Sequence, residues 1–214
     1  MLKLNLNKES LQLYLVTDSS WTQEKTLMEQ VRESLEKGVT FLQLREKTLD
    51  HDQFLELAKE MKELADSFHI PFVINDNIKI ALESHADGIH IGQKDMPIEE
   101  ARKQIGKDKI LGVSVGNVKE ALIAEKLGAD YLGVGAMFLT DTKKDAKNVP
   151  IETLKNICEA VSIPVVAIGG INKENILKLK DSGADGVAVI SAILAKKDIK
   201  KVTCELKTIC EKIF

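Results

Sequence analysis

Long apolar runs are missing from this chain. The longest, such as Ile163 to Ile171, fall well short of the ~20 residues that a membrane-spanning helix needs. The opening MLKLNLNKES has no apolar stretch of signal-peptide length. Cysteine is scarce as well: Cys158, Cys204 and Cys210 form an odd, scattered set without a CxxC pair, which fits a reducing cytosol. Cys158 shares a helical face with Leu154, Ile157 and Val161 and is expected in the core. No sustained basic stripe exists; lysines and acids are mixed and the formal net charge is −3, which disfavours nucleic acid or a membrane surface as partner. No Gly/Ser/Pro-rich linker divides the chain, so its 214 residues are expected to form one domain. The expectation is a soluble cytoplasmic protein; homo-oligomer assembly stays open.

What is present is a repeated unit. Apolar runs recur at Leu11–Val16, Val39–Leu44, Pro71–Ile74, Gly88–Ile91, Ile110–Val115, Tyr131–Val134, Pro164–Ile168 and Gly186–Ile190. Stretches of helical period lie between them, the clearest placing Phe54, Leu57, Ala58, Met61, Leu64, Ala65 and Phe68 on one face. The last, Asp198–Phe214, would turn Val202, Leu206, Ile209 and Ile213 inward. The junctions HADGIHIG (85–92), GADYLGVG (128–135) and GADGVAVI (183–190) share a form, and their glycine and aspartate are read as serving chain reversal. Eight strand-helix units in this length predict an α/β fold, a (β/α)₈ TIM barrel. A doubly wound sheet is the alternative, but no GxGxxG follows the first strand.

In such a barrel chemistry gathers at the carboxyl ends of the strands. Read in order, those ends carry Thr17 and Asp18; Gln43, Arg45 and Lys47; Asn75 and Asp76; Gln93 and Asp95; Ser114; Thr140, Thr142, Lys143 and Lys144; Gly169 and Gly170; and Ser191. In QLREK, alternation puts Gln43, Arg45 and Lys47 on the inner face and Leu42 and Leu44 outside. An unpaired inward cation is costly, so these cations call for an anion. The ends of strands 7 and 8, AIGGI and VISAI, sit where barrels commonly bind phosphate; Gly170 would admit the oxygens and Ser191 would open a short helix. Asp76, Asp95 and the neighbouring Asn75 are hard oxygen donors suited to Mg²⁺ shared with phosphate oxygens. His90, between two isoleucines, is expected to pack and hydrogen-bond inside. The set points to a diphosphate on Mg²⁺ with a second phosphate near Gly170 and Ser191, the needs of a transferase with two anionic small-molecule substrates.

LYLVTD, QLREK, ADGIHIGQKD, GVSV, TDTKKDA, AIGGI and AVISAI, in this order over essentially the whole chain, resemble the thiamine phosphate synthase family. The resemblance implies a transferase that joins hydroxymethylpyrimidine diphosphate to hydroxyethylthiazole phosphate, through departure of diphosphate and attack of the thiazole nitrogen on a pyrimidine-methyl cation. It implies that Gln43, Arg45, Lys47, Asn75, Ser114 and Lys143 hold the pyrimidine diphosphate, with Arg45, Lys47 and Lys143 assisting its departure. It also implies that Asp76 and Asp95 hold Mg²⁺, and that Thr140, Thr142, Gly170, Ile190 and Ser191 hold the thiazole phosphate. Where the family often has prolines, this chain has Ala136 and Leu139, which bears on the rigidity of the strand 6 loop. That loop, 139–149, is mostly polar and is expected to act as a lid, ending at a Pro150 able to open the next helix. Rival readings are a thiazole tautomerase on the same barrel, which needs no metal carboxylates; a phosphate-binding lyase or isomerase, which needs an interior acid–base pair; and a non-catalytic phosphate-ligand binder.

Overall fold

The computed structural model describes residues 6–22, 24–139 and 148–214. Eight parallel strands close into a barrel in chain order: β1 Leu13–Val16, β2 Phe41–Leu44, β3 Phe72–Asn75, β4 Gly88–Ile91, β5 Ile110–Val115, β6 Tyr131–Val134, β7 Val165–Ile168 and β8 Gly186–Val189. Helices α1 Leu27–Leu35, α2 His51–Ser67, α3 Ile78–Glu83, α4 Ile98–Ile105, α5 Val118–Lys126 and α6 Ile151–Ala160 follow the first six strands, and α7 Ser191–Leu194 and α8 Ile199–Ile213 follow the last. The expected TIM barrel is therefore present. Among the described residues no helix is long and apolar enough to cross a membrane.

The strands read as unbroken apolar runs because both of their faces are covered. Leu15, Leu42, Leu44, Ile74, Ile89 and Ile91 face outward into one large core shared with the helices, while Tyr14, Phe41, Val73, Tyr131 and Val166 fill the barrel. Within the strand the parity expected for QLREK holds, Gln43 being buried with the inward parity of Phe41, whereas Arg45 and Lys47 lie beyond the end of β2. Helix α2 buries Phe54, Ala58, Met61, Leu64 and Ala65, with Leu57 and Phe68 half-buried at the margins.

The three similar junctions turn out to be clamps. Asp87 donates its backbone N–H to Phe72 O at 2.8 Å and accepts from Phe72 N on Oδ2 at 2.8 Å. Asp130 does the same to Leu111, at 2.8 Å and 2.8 Å, and Asp185 to Val165, at 2.8 Å and 2.9 Å. Before β2 the place is taken by Thr40, whose N–H reaches Leu13 O at 2.8 Å and whose hydroxyl accepts from Leu13 N at 2.9 Å. Each even strand is thus fastened at its start to the odd strand before it. Chain reversal at these motifs belongs to His85, Gly128 and Gly183, at φ 57°, 91° and 83°, so the expectation is corrected for the aspartates. It is corrected too for Gly88 and Gly186, where a Cβ would strike the Ile110 and Leu11 carbonyl oxygens.

Other details also differ from the sequence reading. After β7 there is only a 3₁₀ turn, Ile176–Leu179. Asn172 Oδ1 accepts from the N–H groups of Glu174 and Asn175 at 2.9 and 3.2 Å, and Asp181 at φ 61° ends the segment, leaving too few residues for an α-helix. Pro150 is the N-cap of α6, not a residue of its first turn. The inward stripe of α8 is centred on Ile199, Thr203, Leu206 and Cys210, a rotation that leaves Val202, Ile209 and Ile213 half-buried. Cys158 is likewise half-buried, at the margin of the core.

Inside the barrel, bulky and minimal residues stand opposite one another: Gly112 pairs in register with Tyr131, and a Cβ at Gly112 would lie 2.2 Å from the Tyr131 ring. Gly112→Ala should therefore cost about 1–3 kcal/mol through overpacking. That corresponds to a fall in Tm of roughly 2–12 °C for a chain of this size. Gly116→Ala, whose Cβ would make only an ordinary 3.7 Å contact with Glu120, is the control and should leave the melting curve nearly in place.

Candidate active site

The carboxyl ends of β1 to β5 converge on one polar surface. Thr17, at the end of β1, is fully buried and accepts from Arg45 N at 3.0 Å, joining the β1 and β2 ends. The Arg45 side chain then reaches Asp18, with Nη1 donating to Oδ2 at 3.1 Å. Between Arg45 and Lys47, Glu46 turns the other way. It is 9% exposed and accepts from Lys47 N, Thr48 N, Thr48 Oγ1 and Ser19 Oγ at 2.6, 2.9, 3.0 and 3.0 Å. Burial by itself would raise the Glu46 carboxyl, but these donors outweigh it and hold the group below the usual carboxylate range. Glu46 thus fixes the loop that presents the two cations. The sequence carried a signal of this, since residue 46 has the opposite parity to 45 and 47.

Lys47 reaches across to the β3 end, where Nζ donates to Asp76 Oδ2 at 2.7 Å. Asp76 sits at φ 59°, a left-handed conformation in which Asp is among the tolerated residues. Its other oxygen accepts from Asn75 Nδ2 at 2.8 Å, and its N–H donates to His90 O at 2.9 Å. Asp95 is held on the β4 loop by Gly92 N, which donates to Oδ2 at 2.7 Å. The Asp76 carboxyl is raised above its ordinary value: burial is the largest cause, Lys47 opposes it, and the neighbouring Asp95 charge adds to it. The two acids that the strand-end pattern singled out therefore face one another. Among the described residues no group of three or more His, Cys, Asp or Glu side chains could hold a metal. A site of two carboxylates suits a cation that completes its shell with water and phosphate oxygens, as Mg²⁺ does.

Beyond this lie Gln93, donating from Nε2 to Ser114 O at 2.8 Å, and Ser114 itself, whose Oγ meets His90 Nε2 at 2.8 Å. His90 is 7% exposed and its Nδ1 meets the Tyr131 hydroxyl at 2.9 Å, so it packs and hydrogen-bonds inside as expected. Tyr14 and Tyr131, whose sequence context marks them only as strand residues, join this network through a 2.8 Å contact between their hydroxyls.

At the ends of β7 and β8, Gly169 and Gly170 have φ 98° and 66°. A Cβ on Gly170 would lie 2.3 Å from Leu139 O, and Phe138 N donates to Gly169 O at 3.0 Å. The close approach of the β6 loop is thus a reason of its own for the glycine pair. Ile190 is the N-cap of α7 and Ser191 its first residue. Of the β6 loop, Ala136 is buried with its carbonyl accepting from Val149 N at 2.8 Å, and Leu139 is 95% exposed. Thr140, Thr142, Lys143 and Lys144, and the lid expected at 139–149 apart from its ends, lie outside the described residues.

The raised Asp76 carboxyl has a consequence for stability. The native chain holds this proton to higher pH than the unfolded chain, so the contribution of Asp76 to stability falls as pH rises from the ordinary carboxylate value through the raised one. Asp95→Asn removes the facing charge while keeping an oxygen for Gly92 N. The Asp76 midpoint, followed by carboxyl ¹³C NMR, should then move down, and stability above that window should increase. An unmoved midpoint would show that the two groups are independent.

Comparison with known proteins agrees with this architecture. A family model described as Thiamine monophosphate synthase matches residues 13–193. The chain is 53% identical over 194 residues to thiamine-phosphate synthase of Clostridium tetani, covering 91% of this chain and 93% of that one. It is 54% identical over 188 residues to the thiamine-phosphate synthase of Ruminiclostridium cellulolyticum, covering 88% and 90%. Among solved structures, thiamine phosphate pyrophosphorylase from Pyrococcus furiosus superposes with a TM-score of 0.89 at 42% identity, covering 97% of this chain and 98% of that one. The chain belongs to the thiamine monophosphate synthase family of enzymes.

Proposed function

We propose that this enzyme joins hydroxymethylpyrimidine diphosphate to hydroxyethylthiazole phosphate, giving thiamine phosphate and diphosphate. The observation that supports this beyond family membership is the facing pair Asp76 and Asp95 beside Lys47 and Arg45. A lone phosphate would not need two acids among its cations; a diphosphate carried with Mg²⁺ would. The Lys47–Asp76 pair is half-exposed, and such pairs are worth about 0–1 kcal/mol, little enough for a diphosphate to draw Lys47 away. Asp76 and Asp95 would hold the Mg²⁺, whose chemistry there is neutralisation of diphosphate charge.

In the reaction, the bond from the pyrimidine methylene carbon to the diphosphate oxygen breaks and its electron pair leaves with the diphosphate. The lone pair of the thiazole nitrogen then forms the new C–N bond. Arg45, Lys47 and Lys143 stabilise charge on the leaving group, which such a step needs more than a general base. Gln43, Asn75 and Ser114 orient the pyrimidine diphosphate, and Thr140, Thr142, Gly170, Ile190 and Ser191 receive the thiazole phosphate. The roles of Lys143 and the two threonines rest on the resemblance alone. A thiazole tautomerase would leave Asp76 and Asp95 without a task.

Steady-state turnover of the purified protein with both substrates tests this directly. Asp76→Ala and Asp95→Ala should each lower kcat by on the order of 10²–10³ while the fold is kept, and EDTA should abolish turnover. Activity that survives EDTA and both substitutions would remove the metal from the reading. Ser191→Asp, which sets a negative charge against the thiazole phosphate, should raise the KM of that substrate far more than that of the pyrimidine diphosphate. Equal effects on both would mean that the two subsites are arranged differently.

A further inference from the structure

Five side chains from five strands form one continuous path through the barrel interior. Gln43 on β2 donates from Nε2 to the Tyr14 hydroxyl of β1. Tyr14 meets the Tyr131 hydroxyl of β6 at 2.8 Å, Tyr131 meets His90 Nδ1 of β4 at 2.9 Å, and His90 Nε2 meets Ser114 Oγ of β5 at 2.8 Å. Tyr14 and Tyr131 are 1% and 0% exposed. The surrounding residues leave room for the path: a Cβ at Gly112 would strike the Tyr131 ring, and one at Gly133 would lie 3.2 Å from His90 Cε1. Both ends of the path are residues that the proposed function gives to the pyrimidine diphosphate.

Counting hydrogens gives the path a direction. Burial pushes both phenols above their ordinary range, so each is neutral and has one proton to place. With Gln43 donating, Tyr14 oxygen is an acceptor, and among the described residues its own hydrogen has only the Tyr131 oxygen to go to. Tyr131 must in turn donate to His90 Nδ1. Any other placement starting from Gln43 as donor leaves a buried phenolic hydrogen without an acceptor, at a cost of about 1–3 kcal/mol. An accepting Nδ1 puts the imidazole hydrogen on Nε2, where it donates to Ser114 Oγ. The Ser114 hydrogen is then released towards the mouth of the barrel.

We propose that Tyr14, Tyr131 and His90 are positioning residues: a directed hydrogen-bond chain that holds His90 as its Nε2–H tautomer and makes the Ser114 hydroxyl a donor to the pyrimidine substrate. The chain couples the two substrate contacts at its ends, because the orientation of the Gln43 amide fixes which atoms Ser114 offers. It rests on the reading that Gln43 and Ser114 bind the pyrimidine diphosphate, and it deepens that reading by requiring the substrate to present an acceptor, a ring nitrogen or a diphosphate oxygen, to Ser114. The opposite polarity, with Gln43 Oε1 turned onto Tyr14, would force His90 into the Nδ1–H form and make Ser114 donate inward. The two arrangements are distinguishable without any turnover.

The experiment is long-range ¹H–¹⁵N correlation NMR on histidine-labelled protein, with His90 assigned by loss of its signals in His90→Asn. The wild-type protein should show His90 as a single Nε2–H tautomer. Tyr131→Phe, which keeps the ring and removes one link, should give a mixture of tautomers and raise the KM for the pyrimidine diphosphate by about 5–10-fold, the size of one hydrogen bond. The KM for the thiazole phosphate should stay the same. Should Tyr131→Phe fail to fold, Tyr14→Phe breaks the chain one step earlier and carries the same expectation. An Nδ1–H tautomer in the wild type, or a tautomer and KM unmoved by the broken link, would overturn the proposal. A wild-type protein that shows the Nε2–H tautomer but no turnover would overturn the proposed function and leave the chain standing.

Discussion

Parallel strands can slip past one another, and a slip of one residue would exchange the inner and outer faces of a strand. Here the register is held where the strands begin. Thr40, Asp87, Asp130 and Asp185 each grip one residue of the preceding strand through both its N–H and its C=O. Everything at the other end depends on this. With register fixed, Gln43 points inward, Leu42 and Leu44 point outward, and the residues after each strand emerge in a known order around the mouth. The scaffold and the site are thus segregated to opposite rims, as is usual for this barrel.

Between the rims the interior is filled by an unusual mixture. Tyr14, Phe41 and Tyr131 meet edge to face, with ring centroids 4.6 to 6.0 Å apart, an arrangement that aromatic quadrupoles favour. Two of the three rings carry buried hydroxyls that need hydrogen-bond partners. They satisfy one another and then His90. The apolar plug and the polar network are therefore the same side chains. Moving Gln43 or Ser114 would therefore disturb the hydrogen bonding of the same side chains that fill the barrel.

The fold was legible in the sequence because strands covered on both faces leave continuous apolar runs, and the outer helices leave a clear period. Chain order alone puts Arg45, Lys47, Asp76, Asp95 and Ser114 at the carboxyl rim, since each sits at or just past the end of an apolar run. What the sequence did not disclose depends on contacts between distant strands. Tyr14 and Tyr131 are 117 residues apart and look like ordinary strand aromatics until closure brings them together. Asp87, Asp130 and Asp185 resembled turn residues because the clamp needs a partner found only in the neighbouring strand. On α8 the apolar period finds the inward face, with Leu206 buried and Val202, Ile209 and Ile213 packed against the core, but it does not show that Thr203 and Cys210 share the centre of the contact.

The four clamps have a further implication for how the chain could be joined. They tie β1 to β2, β3 to β4, β5 to β6 and β7 to β8, so the lower rim is a ring of four similar two-stranded modules. The connections inside a module run between clamped partners, whereas those from one module to the next, such as the segment between α2 and β3, link pairs that are already complete at that rim. Covalent continuity at these seams is separable from the hydrogen bonding that sets register. In a closed ring of like modules the seam between β8 and β1 is topologically equivalent to the other three, and this barrel is in that sense indifferent to which module comes first.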